Sequence, residues 1–156
     1  MYEKHGAALV LYARQWCLHP DDALQDALID LARQATEPRD PVAWLFKTVR
    51  YKAINQSRSE QRRSKYQQLA AEQREPWFLS DPSKNLETGE IETLIAELTP
   101  VEREIVIARV WGDMSFEQIS GLVERSLSFV YRSYKQALRE LEKKMDGQVN
   151  KLSKDK

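Results

Sequence analysis

Apolar side chains recur at intervals of three and four along much of this sequence, the spacing of helices that each bury one face. Leu9, Tyr12-Ala13 and Trp16 define that face in a first predicted helix, and His19-Pro20-Asp21-Asp22 breaks it and caps the next. Ala23 to Gln34 predicts a second helix with Leu24, Ala27-Leu28 and Leu31 inward. Asp40-Pro41 starts a third, running at least to Ser57, with Val42, Leu45, Val49 and Ala53 inward. From Tyr66 to about Thr88 the periodicity fades. Pro76, Pro82, Ser80-Asp81 and Ser83 punctuate that stretch, and Trp77-Phe78-Leu79 is a short apolar island, so it reads as a linker.

The pattern returns after Leu98. Thr99-Pro100 is a helix start, with Glu102 three positions after the cap. Ile105, Ala108 and Val110 make an apolar stripe ending at Trp111-Gly112-Asp113, where Gly112 is expected to take the left-handed conformation that stops a helix. A short helix follows from Ser115, with Phe116, Ile119 and Leu122-Val123 inward. A third start at Ser126 leads into Val130, Tyr134, Ala137-Leu138 and Leu141. A short helix, a tight turn and a longer helix are the ingredients of a helix-turn-helix, whose second helix enters the major groove of DNA. After Met145 a polar, Lys-rich tail is expected to fray.

A plain three-helix packing unit would show the same periodicity, and the charges shift the balance. The net charge over all 156 residues is zero, but its distribution is uneven. Residues 1–46 carry four basic against seven acidic groups, residues 47–74 eight against two, and residues 75–104 two against eight. Residues 125–144 carry six basic against two acidic groups, on the segment that a phosphate-contacting helix would occupy. Such blocks suit one surface for DNA and another for a basic protein partner. Cys17 is the only cysteine, which leaves neither a disulfide framework nor a zinc site, and a buried thiol is the expectation. His5 and His19 are isolated, there is no Gly-rich phosphate loop, and no catalytic centre or cofactor is indicated. The longest apolar run, Ala7 to Ala13, is far too short to span a bilayer, so no membrane insertion is expected and the cytoplasm is the expected location.

The stretch from Leu98 to Leu141 resembles the promoter-binding C-terminal domain of bacterial sigma factors, in particular the extracytoplasmic-function (ECF) subfamily. Leu98-Thr99-Pro100 with Glu102-Arg103, Met114 to Ile119, and Ser126 to Val130 leading into Ala137 and Leu141 carry the likeness. The resemblance implies an all-α protein of two small helical domains joined by a flexible linker, the C-terminal one containing the helix-turn-helix. Residues 1–66 would bind core RNA polymerase and recognise the −10 promoter element, 67–88 would be the linker, 89–145 would read the −35 element, and 146–156 would be the tail. A linker of about 20 extended residues reaches at most ~70 Å, comparable to two turns of B-DNA at ~34 Å each.

The N-terminal segments extend the likeness. Asp22 to Asp26 is similar to the sigma segment that grips the largest polymerase subunit, and the role carries onto Asp22, Leu24, Gln25, Asp26 and Ile29. An acidic first turn explains Asp21 and Asp22 through the helix dipole, but it does not explain Ile29. In the third helix, Lys47, Arg50, Lys52, Arg58, Arg62 and Arg63 are interleaved with Trp44, Phe46, Tyr51 and Asn55. Cations that hold phosphates beside aromatic faces that stack on bases suit an opened strand, though one of Trp44 and Phe46 also suits an ordinary core position. Ala43 to Lys47 and Asn55 to Arg63 resemble the −10 segment, which assigns Trp44, Lys47, Arg50, Tyr51, Lys52, Asn55, Arg58, Arg62 and Arg63 to it. Ser126, Ser128, Phe129, Tyr131, Arg132, Lys135 and Arg139 are assigned to the −35 element. This chain departs from the family at Tyr51 and Asn55, in the short loop Ala35 to Asp40, and at Glu124-Arg125, where the family turn usually has Gly and an aliphatic residue. Core polymerase and promoter DNA are the implied partners; the resemblance also admits an anti-sigma protein, which nothing in the sequence identifies. The rival reading is a stand-alone helix-turn-helix regulator whose N-terminal half is a dimerisation or effector module.

Overall fold

Three helices begin on a proline, Pro20, Pro41 and Pro100, at the position where the missing N–H costs nothing and the fixed φ suits the first turn. The computed structural model describes residues 2–67 and 86–154, and among these it contains seven helices. They are α1 (Tyr2–Ala13), α2 (Pro20–Ala32), α3 (Pro41–Gln67), α4 (Leu86–Ala96), α5 (Pro100–Val110), α6 (Phe116–Val123) and α7 (Leu127–Lys154). Most of the segment read as linker, with Trp77-Phe78-Leu79, lies outside the described residues.

Side chains cap the starts that the sequence marks. Asp40 Oδ1 accepts from the Ala43 backbone N–H at 3.0 Å. Thr99 and Glu102 form a reciprocal capping box ahead of α5, and Ser115 and Gln118 form another ahead of α6. Ser126 Oγ accepts from Phe129 N–H at the head of α7. Two such satisfied donors per helix are worth about 1 kcal/mol or more where a helix is as short as the eight residues of α6.

Two endings differ from expectation. Gly112 does not take a positive φ; Asp113 does, at 53°. Gly112 is small for another reason: a Cβ there would stand 2.5 Å from the Ala108 carbonyl oxygen and 2.7 Å from Phe46 Cζ. The expected fraying after Met145 is also absent, since α7 continues to Lys154. Residues 146–154 contain no proline, Gly147 is accommodated within the helix, and Lys144 is tied to Glu97 just past α4.

α1, α2 and α3 pack on one another, as do α5, α6 and α7, with α4 against α7. The two groups also meet: α1 packs on α5, and α3 packs on α6. Their buried residues form one continuous cluster that runs from Leu9, Tyr12, Leu45, Phe46 and Val49 to Ile105, Ile107, Met114, Ile119 and Val130. A smaller cluster of Leu98, Val106 and Ala137, flanked by Tyr134 and Leu141, fixes α7 to α5. Phe46, expected among the residues interleaved on the cationic side of α3, is completely buried. It takes the core position, and its ring lies edge-on to Tyr12 at 5.1 Å.

Candidate nucleic-acid interface

The helix-turn-helix is α6 and α7. Ile119 and Leu122 of α6 and Val130 of α7 are buried together, which sets the two helices against each other. The turn between them depends on Glu124, which has φ 55° and ψ 46°, a left-handed conformation rarely used by glutamate. Arg125 N–H then returns to the Ser120 carbonyl, and Ser120 Oγ donates to the Arg125 carbonyl. The chain thus makes with Glu124 the turn that glycine usually makes.

On α7, at 3.6 residues per turn, Ser128, Tyr131, Arg132, Lys135 and Arg139 fall within a stripe about 100° wide. All five are exposed, as is Ser126 before them. Phe129 falls off the stripe: it is half-buried and packs against the core, with Arg125 over its ring at 5.5 Å. It props the turn, and its remaining surface lines the groove beside the stripe. Lys135 lies over the Tyr131 ring at 5.5 Å. Arg132 Nε donates to the Ser128 carbonyl at 3.3 Å, which orients the guanidinium along the helix and leaves its terminal nitrogens outward. Glu102, Tyr131, Arg132, Lys135 and Arg139 line a shallow groove beside this face.

α3 carries a second cationic face. Trp44, Lys47, Tyr51, Asn55, Arg58 and Arg62 lie within about 80° of one another around the helix. Lys47, Tyr51, Arg58 and Arg62 are exposed, Tyr51 most of all at 64%. Trp44 and Asn55 are half-buried, Trp44 against the core. Arg50, Lys52 and Arg63 do not share the stripe. Lys52 bonds Asp30 of α2 at 2.6 Å. With Asn55 and Arg63 it lines a groove between α2 and α3 that also includes Leu18, Asp22 and Asp26. Arg50 turns the other way and bonds Glu104 of α5.

The acidic patch on α2 stands as spaced. Asp22, Gln25, Asp26 and Ile29 are exposed on its outer side, Ile29 at 42%. Leu24 is buried at 3% and belongs to the core, so it supports this face from behind without reaching a partner.

Glu104 and Gln118 carry structural roles that spacing did not signal. The Glu104 Oε2 atom accepts from Tyr12 Oη at 2.9 Å and from Arg50 Nε at 3.1 Å. Burial first, and then the Glu104 charge, push the Tyr12 hydroxyl well above the ordinary tyrosine range. Burial alone would lower the Arg50 guanidinium, but the Glu104 carboxylate outweighs it and holds Arg50 raised. Gln118 Nε2 donates to Asp40 Oδ2 at 2.6 Å, and this bond, with the Ala43 N–H, holds the Asp40 carboxyl below its usual value. These partners are 54 to 92 positions apart, beyond any periodic signal.

The model of sigma-70, region 4 matches residues 88–141. No curated protein matches the sequence. Among solved structures, CnrH in complex with the cytosolic domain of CnrY has a TM-score of 0.64 at 22% identity, over 94% of this chain and 85% of that one. The sigma factor RpoE in complex with the anti-sigma factor NepR, from Bartonella quintana, has a TM-score of 0.63 at 15% identity, over 90% of each chain. Residues 88–141, from α4 to the middle of α7, therefore match sigma-70 region 4, within a molecule that shares the fold of CnrH and of the sigma factor RpoE.

Proposed function

We propose that this protein is a sigma factor that binds core RNA polymerase and directs promoter-specific initiation. The observation that carries the reading is the stripe of Lys47, Tyr51, Asn55, Arg58 and Arg62 on α3, on a helix separate from the region 4 domain. A factor that only binds duplex DNA needs one reading helix. A factor that also holds an opened strand needs exposed aromatic and cationic groups in alternation, because stacking contributes ~1–3 kcal/mol per base and the cations neutralise the backbone.

In this reading the exposed face of α2 docks on polymerase through Asp22, Gln25, Asp26 and Ile29. The stripe on α3, with Trp44 at its head, meets the −10 element. Ser126, Ser128, Tyr131, Arg132, Lys135 and Arg139 meet the −35 element. Arg50, Lys52 and Arg63 flank the −10 stripe; Arg63 is already exposed, and Arg50 and Lys52 become available when Glu104 and Asp30 are displaced. The domains are residues 1–66 and 89–145, and the reaction chemistry belongs to the polymerase. RpoE was solved with an anti-sigma factor, and a protein of that kind is a fitting further partner here. A stand-alone regulator would have no use for the α2 patch or the α3 stripe. Run-off transcription with core polymerase on a genomic promoter library tests the proposal: discrete start sites that require this protein are expected, and their absence would sink it.

A further inference from the structure

The side chains on the reading stripe of α7 are polar or cationic, with one exception, Tyr131. Of the three aromatic residues on this helix it alone is exposed, at 48%, while Phe129 and Tyr134 are half-buried. The exposed ring is not free to swing. It meets the Phe116 ring edge to face, with centroids 5.5 Å apart and planes at 76°. Phe116, at the head of α6, is held in turn by the Tyr134 ring at 5.3 Å and by the Arg109 guanidinium, which lies over it at 4.7 Å. Arg109 is fixed by donating to the Met114 carbonyl at 2.7 Å. Lys135, one turn further along α7, stands over the Tyr131 ring at 5.5 Å. Three helices, α5, α6 and α7, thus contribute to the placement of one exposed ring.

A ring braced beforehand has little conformational freedom left to lose on binding. What it presents is apolar surface at the edge of a face otherwise made for phosphates and hydrogen bonds. Base pairs show the major groove donors and acceptors, and the one apolar group among them is the C5 methyl of thymine. Burying a group of that size against apolar surface favours binding by about fourfold. The other use of a tyrosine here is a hydroxyl bonded to a phosphate. That use needs no brace on the ring, and Lys135 and Arg139 already supply cations for the backbone.

We propose that Tyr131 reads the C5 methyl group of a pyrimidine in the −35 element, with Phe116 as its positioning residue. Thymine and 5-methylcytosine carry this methyl at the same place, and uracil and cytosine lack it. Methylation of a cytosine at this position therefore strengthens a promoter that plain cytosine weakens. The inference rests on the sigma-factor reading for the identity of the DNA as a −35 element, but the methyl contact itself needs only duplex.

Promoters recovered by run-off transcription are resynthesised with uracil for each −35 thymine in turn, which removes only the methyl group. Holoenzyme binding to each duplex is then measured. Wild type is expected to lose about fourfold at one position, and 5-methylcytosine placed there should bind about fourfold better than cytosine. Tyr131→Phe keeps the ring and should keep both ratios, whereas Tyr131→Ala should abolish them. Phe116→Leu leaves Tyr131 in place without its brace. It should shrink both ratios without changing the salt dependence of binding, which reports the phosphate contacts. If circular dichroism shows that Phe116→Leu has lost helix, the variants of the exposed Tyr131 decide. Wild-type binding indifferent to the methyl, or ratios that survive in Tyr131→Ala, would overturn the proposal. Ratios lost in Tyr131→Phe would assign the contact to the hydroxyl and overturn it too, and full ratios in a folded Phe116→Leu would remove the positioning role. If core polymerase yields no start sites, the full chain alone selects duplexes from a random library and the same substitutions are made in the enriched sites. The expected ratios there would leave the methyl contact standing and sink the sigma-factor function; no enriched site would overturn both.

Discussion

Gly112 lies against the ring of Phe46, so closely that a Cβ on residue 112 would stand 2.7 Å from Phe46 Cζ. The second obstacle, Ala108 O at 2.5 Å, is backbone in the last turn of α5 and cannot swing aside. Gly112→Ala is therefore expected to lower stability by about 1–3 kcal/mol, the usual cost of overpacking. Urea unfolding followed by far-ultraviolet circular dichroism checks it. An unchanged midpoint would mean that the turn shifts freely and that Phe46 is not clamped there.

Ile29 and Asp26 stand outward on α2 with no packing duty. Asp26→Arg combined with Ile29→Glu should abolish capture by core polymerase while leaving the melting temperature within a few degrees of wild type. Retention of core enzyme at wild-type affinity in a pull-down would remove the docking role from this helix.

Arg58 and Arg62 share the α3 stripe and are exposed. Replacing both with Ala should weaken open-complex formation and reduce its salt dependence by roughly one unit of logarithmic slope for each phosphate no longer neutralised. The same slope in wild type and variant would assign both arginines to solvent.

Arg132 is the early arginine on the reading face of α7, and its outward nitrogens suit a two-pronged contact with guanine, worth ~1–3 kcal/mol of discrimination. Arg132→Ala should change which −35 sequences are accepted. Lys135→Ala and Arg139→Ala, further along the helix, should weaken all sequences about equally. Promoter selection with each variant checks this, and an unaltered preference for Arg132→Ala would make it a phosphate contact.

Cys17 is buried, donates to the Ala13 carbonyl, and has its thiol pushed up to about 11, chiefly by burial. The thiolate is the reactive form, so below that value the native rate should climb about tenfold per pH unit and be very slow at pH 8. Ellman's reagent at pH 8 should label the protein promptly only after denaturation. Rapid labelling of the native chain would show that the thiol is neither sheltered nor protonated.

Much of the fold is legible in the residues, and the failures share one physical origin. Leu45, Val49 and Ala53 announce α3, and Thr99, Ser115 and Ser126 announce three starts through their caps, because helix spacing and capping are local. Phe46 sits one position beyond Leu45 on the same helix, and whether that side faces solvent depends on where α5 and α6 dock. Periodicity carries no such information. For the same reason Arg50 resembles a free cation in the sequence, and Glu104 one more surface acid in an acidic block. Gly112 suggests a conformational stop because composition cannot distinguish a glycine kept for its φ from one kept for its lack of a side chain.

The left-handed Glu124 has a consequence for how accurately α7 is aimed. That conformation costs a non-glycine residue about 1 kcal/mol or more. A glycine would relieve the strain, but it would also open a wider range of backbone angles at the one joint that sets α7 against α6. Glutamate confines the joint to a narrow well. The turn thus gives up some stability for a tighter distribution of docking angles, and in a helix that reads base edges from its first two turns, angular spread is what blurs one sequence into another.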